Sequence, residues 1–360
     1  MWNETRAAQL LNIQYPIIQG PFGSGPSSPE LVAAVSNNGG MGSYGMQALE
    51  PAQMRQVVSN IRAATSRPFS INLWISDETR SFEADQRAFE AAADLLAPHY
   101  RQLGLDRPTL PERFIPKLDE QIDMLLELRP PVFSFVFGIP QPEVFQECKR
   151  RGILMMGTAT TAEEAQRLED AGADLVVASG FEAGGHKGSF LRPAEESLTG
   201  TFALVPQVAD KVKIPVIAAG GVADARGVVA ALALGADGVQ IGTAFLACLE
   251  SAANTAHRAA LFDKDKRHTV LTRAVTGRLA RNLRSQYIDD IQDAGVACAP
   301  YPIQAWLVDR LKRAAAAQGK DELLSFSAGQ AVALVRHNRA AALMEELIRD
   351  TARICMDFSR

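Results

Sequence analysis

Residues 214–246 read IPVIAAGGVADARGVVAALALGADGVQIGTAFL. Two short apolar runs, IPVIAA and GVQI, flank a segment whose alanines, valines and leucines have the spacing and length of a helix. Apolar runs without polar alternation suit strands covered on both faces. Each run ends in glycine, so the unit is strand, glycine loop, helix. Working backwards, ILMMGTA and ADLVVASG repeat that unit, separated by TAEEAQRLEDAG and followed by TFALVPQVADKV. The triplet GAD precedes a strand at 172 and again at 235, each time directly after an alanine- and leucine-rich helix, a faint internal repeat.

The N-terminal half carries the same alternation. YPIIQG precedes SPELVAAVSNNGG, PFSINLWI follows PAQMRQVVSNIRAA, and MGSYG and PVFSFVFG supply two further strands. Eight parallel strands with interleaved helices in about 250 residues predict an α/β fold, the (β/α)8 TIM barrel. The barrel is expected over residues 1–250. A helical insertion at about 76–130 holds two helices, one of them expected over the barrel mouth. Strands are expected to cease near residue 250, leaving 251–360 as a C-terminal helical subdomain built on YPIQAWLVDRLKRAAAAQ and SAGQAVALVRHNRAAALMEELIRD. No Pro- or Gly-rich linker precedes it, so it is expected to pack on the barrel.

Composition narrows the function classes. The chain has 360 residues, 47% hydrophobic and 22% charged, with a formal net charge of −4. It can bury a large core, and it carries no basic footprint for nucleic acid or anionic lipid. Cys148, Cys248, Cys298 and Cys355 are scattered without CxxC spacing, which signals neither a metal site nor a disulfide framework. MWNETRAAQL lacks the apolar core of a signal peptide, and no apolar run reaches the ~20 residues of a membrane span. A cytoplasmic protein is expected, and its oligomeric state is left open.

A barrel of this kind places its chemistry on the loops after the strands. Those positions carry Gln19-Gly20-Pro21 after strand one, Asn72 in strand three, GFEAGGHKGSF (180–190) after strand six, Gly220-Gly221 after strand seven and Gly242-Thr243 after strand eight. Glycines after the last two strands suit a phosphate held by backbone N–H groups, although a glycine pair before a helix also serves as a plain tight turn. His186 stands among glycines after a barrel strand, where a ligand platform is favoured over a turn-capping surface histidine; the other four histidines have no such setting. Asn72 also fits a strand-end cap, Gln19 a buried amide tying two loops, and Gln330 of SAGQ a helix start. Arg278, Arg281 and Arg284 have near-helical spacing, which reads as a solvated face. No GxGxxG follows an early strand, so an FAD or NAD Rossmann site is absent.

Taken together, YPIIQGPFG, SINLW, SFVFGIP, ASGFEAGGHKG, the 214–246 stretch, YPIQ and SAGQ resemble the nitronate monooxygenase family, formerly called 2-nitropropane dioxygenases. FGIP and EAGGH resemble its class that oxidises nitronates without a reduced nicotinamide. The resemblance implies a non-covalent FMN across the barrel mouth, its phosphate on Gly220, Gly221, Gly242 and Thr243. Gln19, Gly20, Pro21, Asn72, Gln240 and the Gly184-Gly185 pair would lie around the flavin and ribityl chain, with His186 catalytic and no metal. The sequence departs from the commonest family pattern at Gly20, where alanine is common, and at Phe22, where methionine is frequent. The implied partners are a small-molecule nitronate and O2, and the products a carbonyl compound and nitrite. An imidazole can take a proton from a neutral nitroalkane or hold the anionic nitronate. Two alternatives stand beside this: an FMN barrel acting as an NAD(P)H:quinone or enoyl reductase, and a non-redox barrel binding a phosphorylated metabolite.

Overall fold

The computed structural model describes residues 1–23, 25–75 and 82–358. Its strands are β1 (Ile17–Gln19), β2 (Gly42–Gly45), β3 (Phe69–Trp74), β4 (Val132–Val136), β5 (Leu154–Ala159), β6 (Leu175–Ser179), β7 (Gly185–His186), β8 (Val216–Ala219), β9 (Gly238–Ile241), β10 (Thr269–Thr272) and β11 (Ala280–Leu283). Eight of them form one parallel sheet in the order β1-β9-β8-β6-β5-β4-β3-β2. The ends meet through a parallel bridge between Ile18 and Met41, with the Gln19 N–H donating to the Met41 carbonyl at 2.9 Å. This is the expected (β/α)8 barrel. Ile18, Met41, Val132, Met156, Val177 and Ile217 pack together, and Ala7 and Leu11 of the helix Arg6–Leu11 join that cluster.

The GAD repeat has a common physical origin. Gly172 (φ +101°) and Gly235 (φ +96°) take the left-handed backbone that ends each helix. The aspartate that follows then receives a strand's first N–H groups. Asp174 Oδ2 accepts from the Met155 N–H at 2.7 Å, and Asp237 Oδ2 accepts from the Val216 N–H at 3.0 Å. Their own N–H groups donate back to the Met155 and Val216 carbonyls at 2.8 and 2.7 Å. Each triplet therefore both stops a helix and locks the next strand onto its neighbour.

The C-terminal region departs from expectation in one respect. Strands do not cease at residue 250: β10 and β11 pair antiparallel, and β11 pairs with β7 through Ala280–His186 and Arg281–Gly185. A two-residue strand whose partner lies some ninety residues further along the chain gives no local periodicity, which is why the sequence hides it. Residues 330–334 of the SAGQ segment form a short 3-10 turn with Gln330 at its start, and the long helix begins only at Ala340. That helix, Ala340–Phe358, packs on the helices Ala225–Ala233 and Pro29–Asn37.

The insertion holds helices Phe82–Gln102 and Leu118–Leu128; its first residues, 76–81, lie outside the described residues. The first helix packs against the C-terminal helix Ile303–Ala317, with the Tyr100 hydroxyl donating to the Leu307 carbonyl at 2.9 Å. It braces the helix over the barrel mouth, and none of the described residues of the insertion lines the cavity there. Among the described residues no helix is long and apolar enough to cross a membrane, and all four cysteines are free thiols.

The Asp237 carboxylate caps β8 and also takes Arg6 in a two-pronged ion pair at 2.7–2.8 Å, with Arg6 57% exposed and Asp237 11%. Asp237→Ala strands a buried N–H and should lower the unfolding free energy by about 2 kcal/mol. Arg6→Ala removes only a solvent-screened partner and should lower it by less than about 1 kcal/mol. Urea titrations of both variants check the order; equal losses would show the ion pair, not the strand cap, to be the source.

Candidate active site

The strand C-termini open into a cavity of about 290 Å³. Its wall includes Gly20, Pro21, Asn72, Gly184, Gly185, His186, Gly220, Gly221, Gln240, Gly242 and Thr243. Of the residues expected here from the sequence, Gln19 alone stays out. Its side chain is fully buried, its amide oxygen accepts from the Ser43 N–H at 2.9 Å, and its NH2 donates to the Gly20 carbonyl. Both ends of the amide thus tie β1 to the neighbouring backbone. Asn72 reaches the wall with its NH2 donating to the Ser134 hydroxyl at 3.0 Å, across to β4.

The glycines divide by what surrounds them. Gly220 (φ +101°) and Gly221 (φ +74°) both need left-handed backbone. A Cβ on Gly220 would lie 3.0 Å from the Ala183 nitrogen and from Thr201 Oγ1, so protein packing excludes it. A Cβ on Gly221 or Gly242 would meet no protein atom closer than 3.8 and 3.9 Å, so it would occupy cavity space. Gly184 is different again: a Cβ there would come within 2.6 Å of the Ala328 carbonyl carbon and the Gly329 nitrogen. The close approach that demands this glycine is made by the SAGQ loop. That loop is fixed by the Gly329 N–H donating to Thr243 Oγ1 at 2.8 Å and the Gln330 N–H to the Glu182 carbonyl at 2.9 Å.

His186 is placed by β7. Its Nε2 is 2.7 Å from Thr276 Oγ1, and its ring meets Trp74 edge-on at 4.7 Å between centroids and Phe137 at 6.0 Å. Burial, followed by the charges of Arg278, Lys187 and Lys312, pushes its pKa down to about 3. The imidazole is neutral throughout the physiological range. A hydroxyl partner accommodates either tautomer, because it can donate or accept.

The cations around the cavity are held with few carboxylates. Lys187 is buried with its Nζ donating to the Ala183 and Phe181 carbonyls at 2.6 and 3.2 Å, and burial lowers its pKa to about 7. Arg281 is 4% exposed, and its Nε donates to the Phe181 carbonyl at 3.1 Å. The solvated arginine face read from the sequence is therefore incorrect. Arg281 is a buried strand residue and Arg278 stacks on aromatic rings, leaving Arg284 alone exposed. Lys312 lines the cavity, its pKa lowered by burial and partly restored by Asp309.

Sequence reasoning also missed His257, Trp74, Thr276, Ser327, Asp309 and Lys312, all in the cavity wall. Five of these come from beyond residue 250, on segments that acquire their meaning by folding back over the barrel. His257 Nε2 donates to the Ser327 carbonyl at 3.0 Å, which fixes the hydrogen on Nε2, and burial pushes its pKa down to about 4.

Comparison with known proteins gives a consistent picture. The family described as nitronate monooxygenase matches residues 4–350. A probable nitronate monooxygenase from Staphylococcus aureus is 38% identical over 355 residues, covering 98% of this chain and 99% of that protein. Among solved structures, a nitroalkane oxidase from Streptomyces ansochromogenes superposes with a TM-score of 0.90 at 36% identity, covering 98% of this chain and 99% of its own. FabK from Thermotoga maritima superposes at 0.77 with 30% identity, covering 99% and 98%.

The neutral imidazole is directly observable. The His186 ring resonances, assigned by their loss in His186→Asn, should show no titration between pH 5 and 8. Because the folded pKa lies below the unfolded value near 6.5, this residue leaves stability unaffected above about pH 6.5 and reduces it as pH falls from there towards 3. A midpoint near 6 in the NMR titration would contradict the desolvated placement.

Proposed function

The chain belongs to the nitronate monooxygenase family, and on the cavity just described we propose that it is an FMN-dependent enzyme oxidising alkyl nitronates with O2 to carbonyl compounds and nitrite. The family makes it an oxidoreductase, so a barrel without redox chemistry is set aside. The observation that carries the finer reading is a neutral imidazole, held by Thr276, facing a cavity flanked by cations and containing cavity-facing glycines at one corner.

Gly221, Gly242 and Thr243 offer backbone that a phosphate can approach closely, which suits the single phosphate of FMN. Gly20, Pro21, Asn72, Gly185 and Gln240 would border the rest of the cofactor. Bound there, the flavin would supply the electron acceptor and the reaction with O2. The side chains bind, orient and move the proton. With Nε2 accepting from Thr276, Nδ1 carries hydrogen and can donate to a nitronate oxygen. With Nε2 donating, Nδ1 has a lone pair for a proton on the carbon of a neutral nitroalkane. Its low resting basicity does not bar that step, because the nitronate formed beside the imidazolium supplies the opposite charge that favours protonation. Lys312, in the same wall, adds a donor for the anion's oxygens.

The alternative, an FMN barrel reduced by NADH or NADPH, is favoured by the FabK likeness and is separated in one anaerobic experiment. A nitronate should bleach the bound flavin while either nicotinamide does so negligibly; rapid reduction by a nicotinamide with turnover of a quinone would favour the alternative.

Gly242 has φ −98°, a backbone any residue adopts, so Gly242→Val fills the cavity corner without left-handed strain. It should purify folded with little FMN, and normal FMN stoichiometry would remove the phosphate assignment. His186→Asn keeps a donor and loses the base. Activity on neutral nitroalkanes should fall by about 10²–10⁴-fold, with much of the activity on pre-formed nitronates retained. Equal losses on both at full FMN content would leave His186 a binding residue.

A further inference from the structure

Outside the catalytic cavity lies a second, larger cleft of about 580 Å³, whose rim includes the exposed Asp119, Gln141 and Arg192. Its floor is apolar: Ile75, Ile122 and Leu279 are buried there, with the half-buried Leu118 and Ile139 beside them. The two cavities share Phe137 as a common wall.

Phe137 has φ +74° and directly follows β4. The Val136 carbonyl accepts from the Ile75 N–H at 2.9 Å, so the strand stays paired to its last residue and the chain turns only at Phe137. The other described non-glycine residues at positive φ, Asn12 and Arg129, each end a helix. A bulky side chain held in left-handed backbone after a strand marks a position fixed by its surroundings. Gly138 follows, where a Cβ would come within 3.2 Å of the Ile75 side chain and carbonyl oxygen, so the turn lies tight against the end of β3. This turn places one ring. It meets Trp74 edge-on at 5.0 Å and His186 at 6.0 Å between centroids, and the Arg278 guanidinium covers it at 3.8 Å.

We propose that Phe137 is a specificity-determining residue: its ring closes the catalytic cavity against the outer cleft and so limits the carbon chain of the nitronate. The catalytic cavity is at the small end of the range for ligand sites, and the cofactor of the proposed reaction takes part of it. A longer substrate chain therefore has to pass a wall. Of the side chains that touch His186, namely Trp74, Phe137 and Thr276, Phe137 alone also borders the cleft. Glycine suits φ +74° better than phenylalanine does. With glycine at 137, a hydrocarbon tail can take the ring's place beneath the guanidinium and continue onto the apolar floor. This rests on the nitronate-oxidising reading, which nitrite release from ethyl nitronate by the unmodified enzyme tests separately.

The experiment measures kcat/KM of the holoenzyme on pre-formed ethyl, butyl and octyl nitronates, each expressed relative to ethyl nitronate. Pre-formed anions are used because Phe137→Gly also admits water to His186, which raises the basicity of the imidazole and alters proton abstraction from neutral nitroalkanes. In the native enzyme the octyl value should lie below the ethyl value. In Phe137→Gly the butyl and octyl ratios should rise, by about fourfold for each methylene newly buried and by about tenfold or more for octyl nitronate. Adding Leu118→Trp, which fills part of the cleft from the insertion helix, should take back the octyl gain and leave the butyl gain, whose chain stops in the ring's place. Phe137→Asn, also compatible with left-handed backbone, is a second opening for the case in which the glycine variant folds poorly, and the butyl ratio should rise in it too. A readout free of turnover is the His186 ring titration in Phe137→Gly. Its midpoint should move up from about 3 and stay below about 6.5, because Arg278, Lys187 and Lys312 still oppose the charge. A native octyl value equal to the ethyl value, unchanged ratios in the variants, a gain insensitive to Leu118→Trp, or an unmoved His186 midpoint would each overturn the proposal.

Discussion

The pairing of Gly185–His186 with Ala280–Arg281 is the constraint on which the site depends. It is a strand of two residues, extended by the Lys187 N–H donating to the Leu279 carbonyl at 2.8 Å. Without it, a glycine-rich loop would leave the imidazole without a fixed backbone position. With it, Thr276 meets His186 from the turn just before β11, and the same turn sets Arg278 against the Phe137 ring. One short antiparallel contact therefore fixes the base candidate, its hydroxyl partner and the nearest stacked cation together.

Around this contact the basic side chains are oriented by carbonyls, a hydroxyl and aromatic faces. Lys187 donates to two backbone carbonyls, Arg281 to a carbonyl and the Thr269 hydroxyl, and Arg278 stacks on aromatic faces. Carbonyls and rings orient a cation while neutralising it less than an ion pair would. Burial first, and then the charges of Arg278, Lys187 and Lys312, hold His186 neutral. A candidate base with little basicity at rest can still accept a proton when the product beside it is an anion, whose opposite charge favours the imidazolium.

Where glycine is required, the reason differs between positions that look alike in the sequence. Gly184 is needed because the SAGQ backbone lies against it, Gly220 because Ala183 and Thr201 do, and Gly242 faces open cavity. The GGH and AAGG motifs thus combine interior packing with ligand space. The C-terminal segments are integral to the site for the same reason, since removing the 327–330 loop would uncover Gly184 and release Thr243 from its backbone donor.

The sequence by itself determined the barrel, because strand and helix periodicities and helix-ending glycines are local properties, legible in the repeated GAD units and apolar runs. It also located the strand-end residues that line the cavity, since in this architecture the position along the strand dictates the face. Tertiary structure alone decided the rest. Gln19, at a strand end like the others, spends its amide on Ser43 and Gly20; the arginine series 278, 281 and 284 proved to be one stacked, one buried and one exposed residue; and among the described residues the roof came from Ile303–Ala317, with none from the insertion. Each of these turns on a partner distant in the chain, and pairing at a distance leaves no period in the sequence: it exists only when both segments have closed on the same cavity.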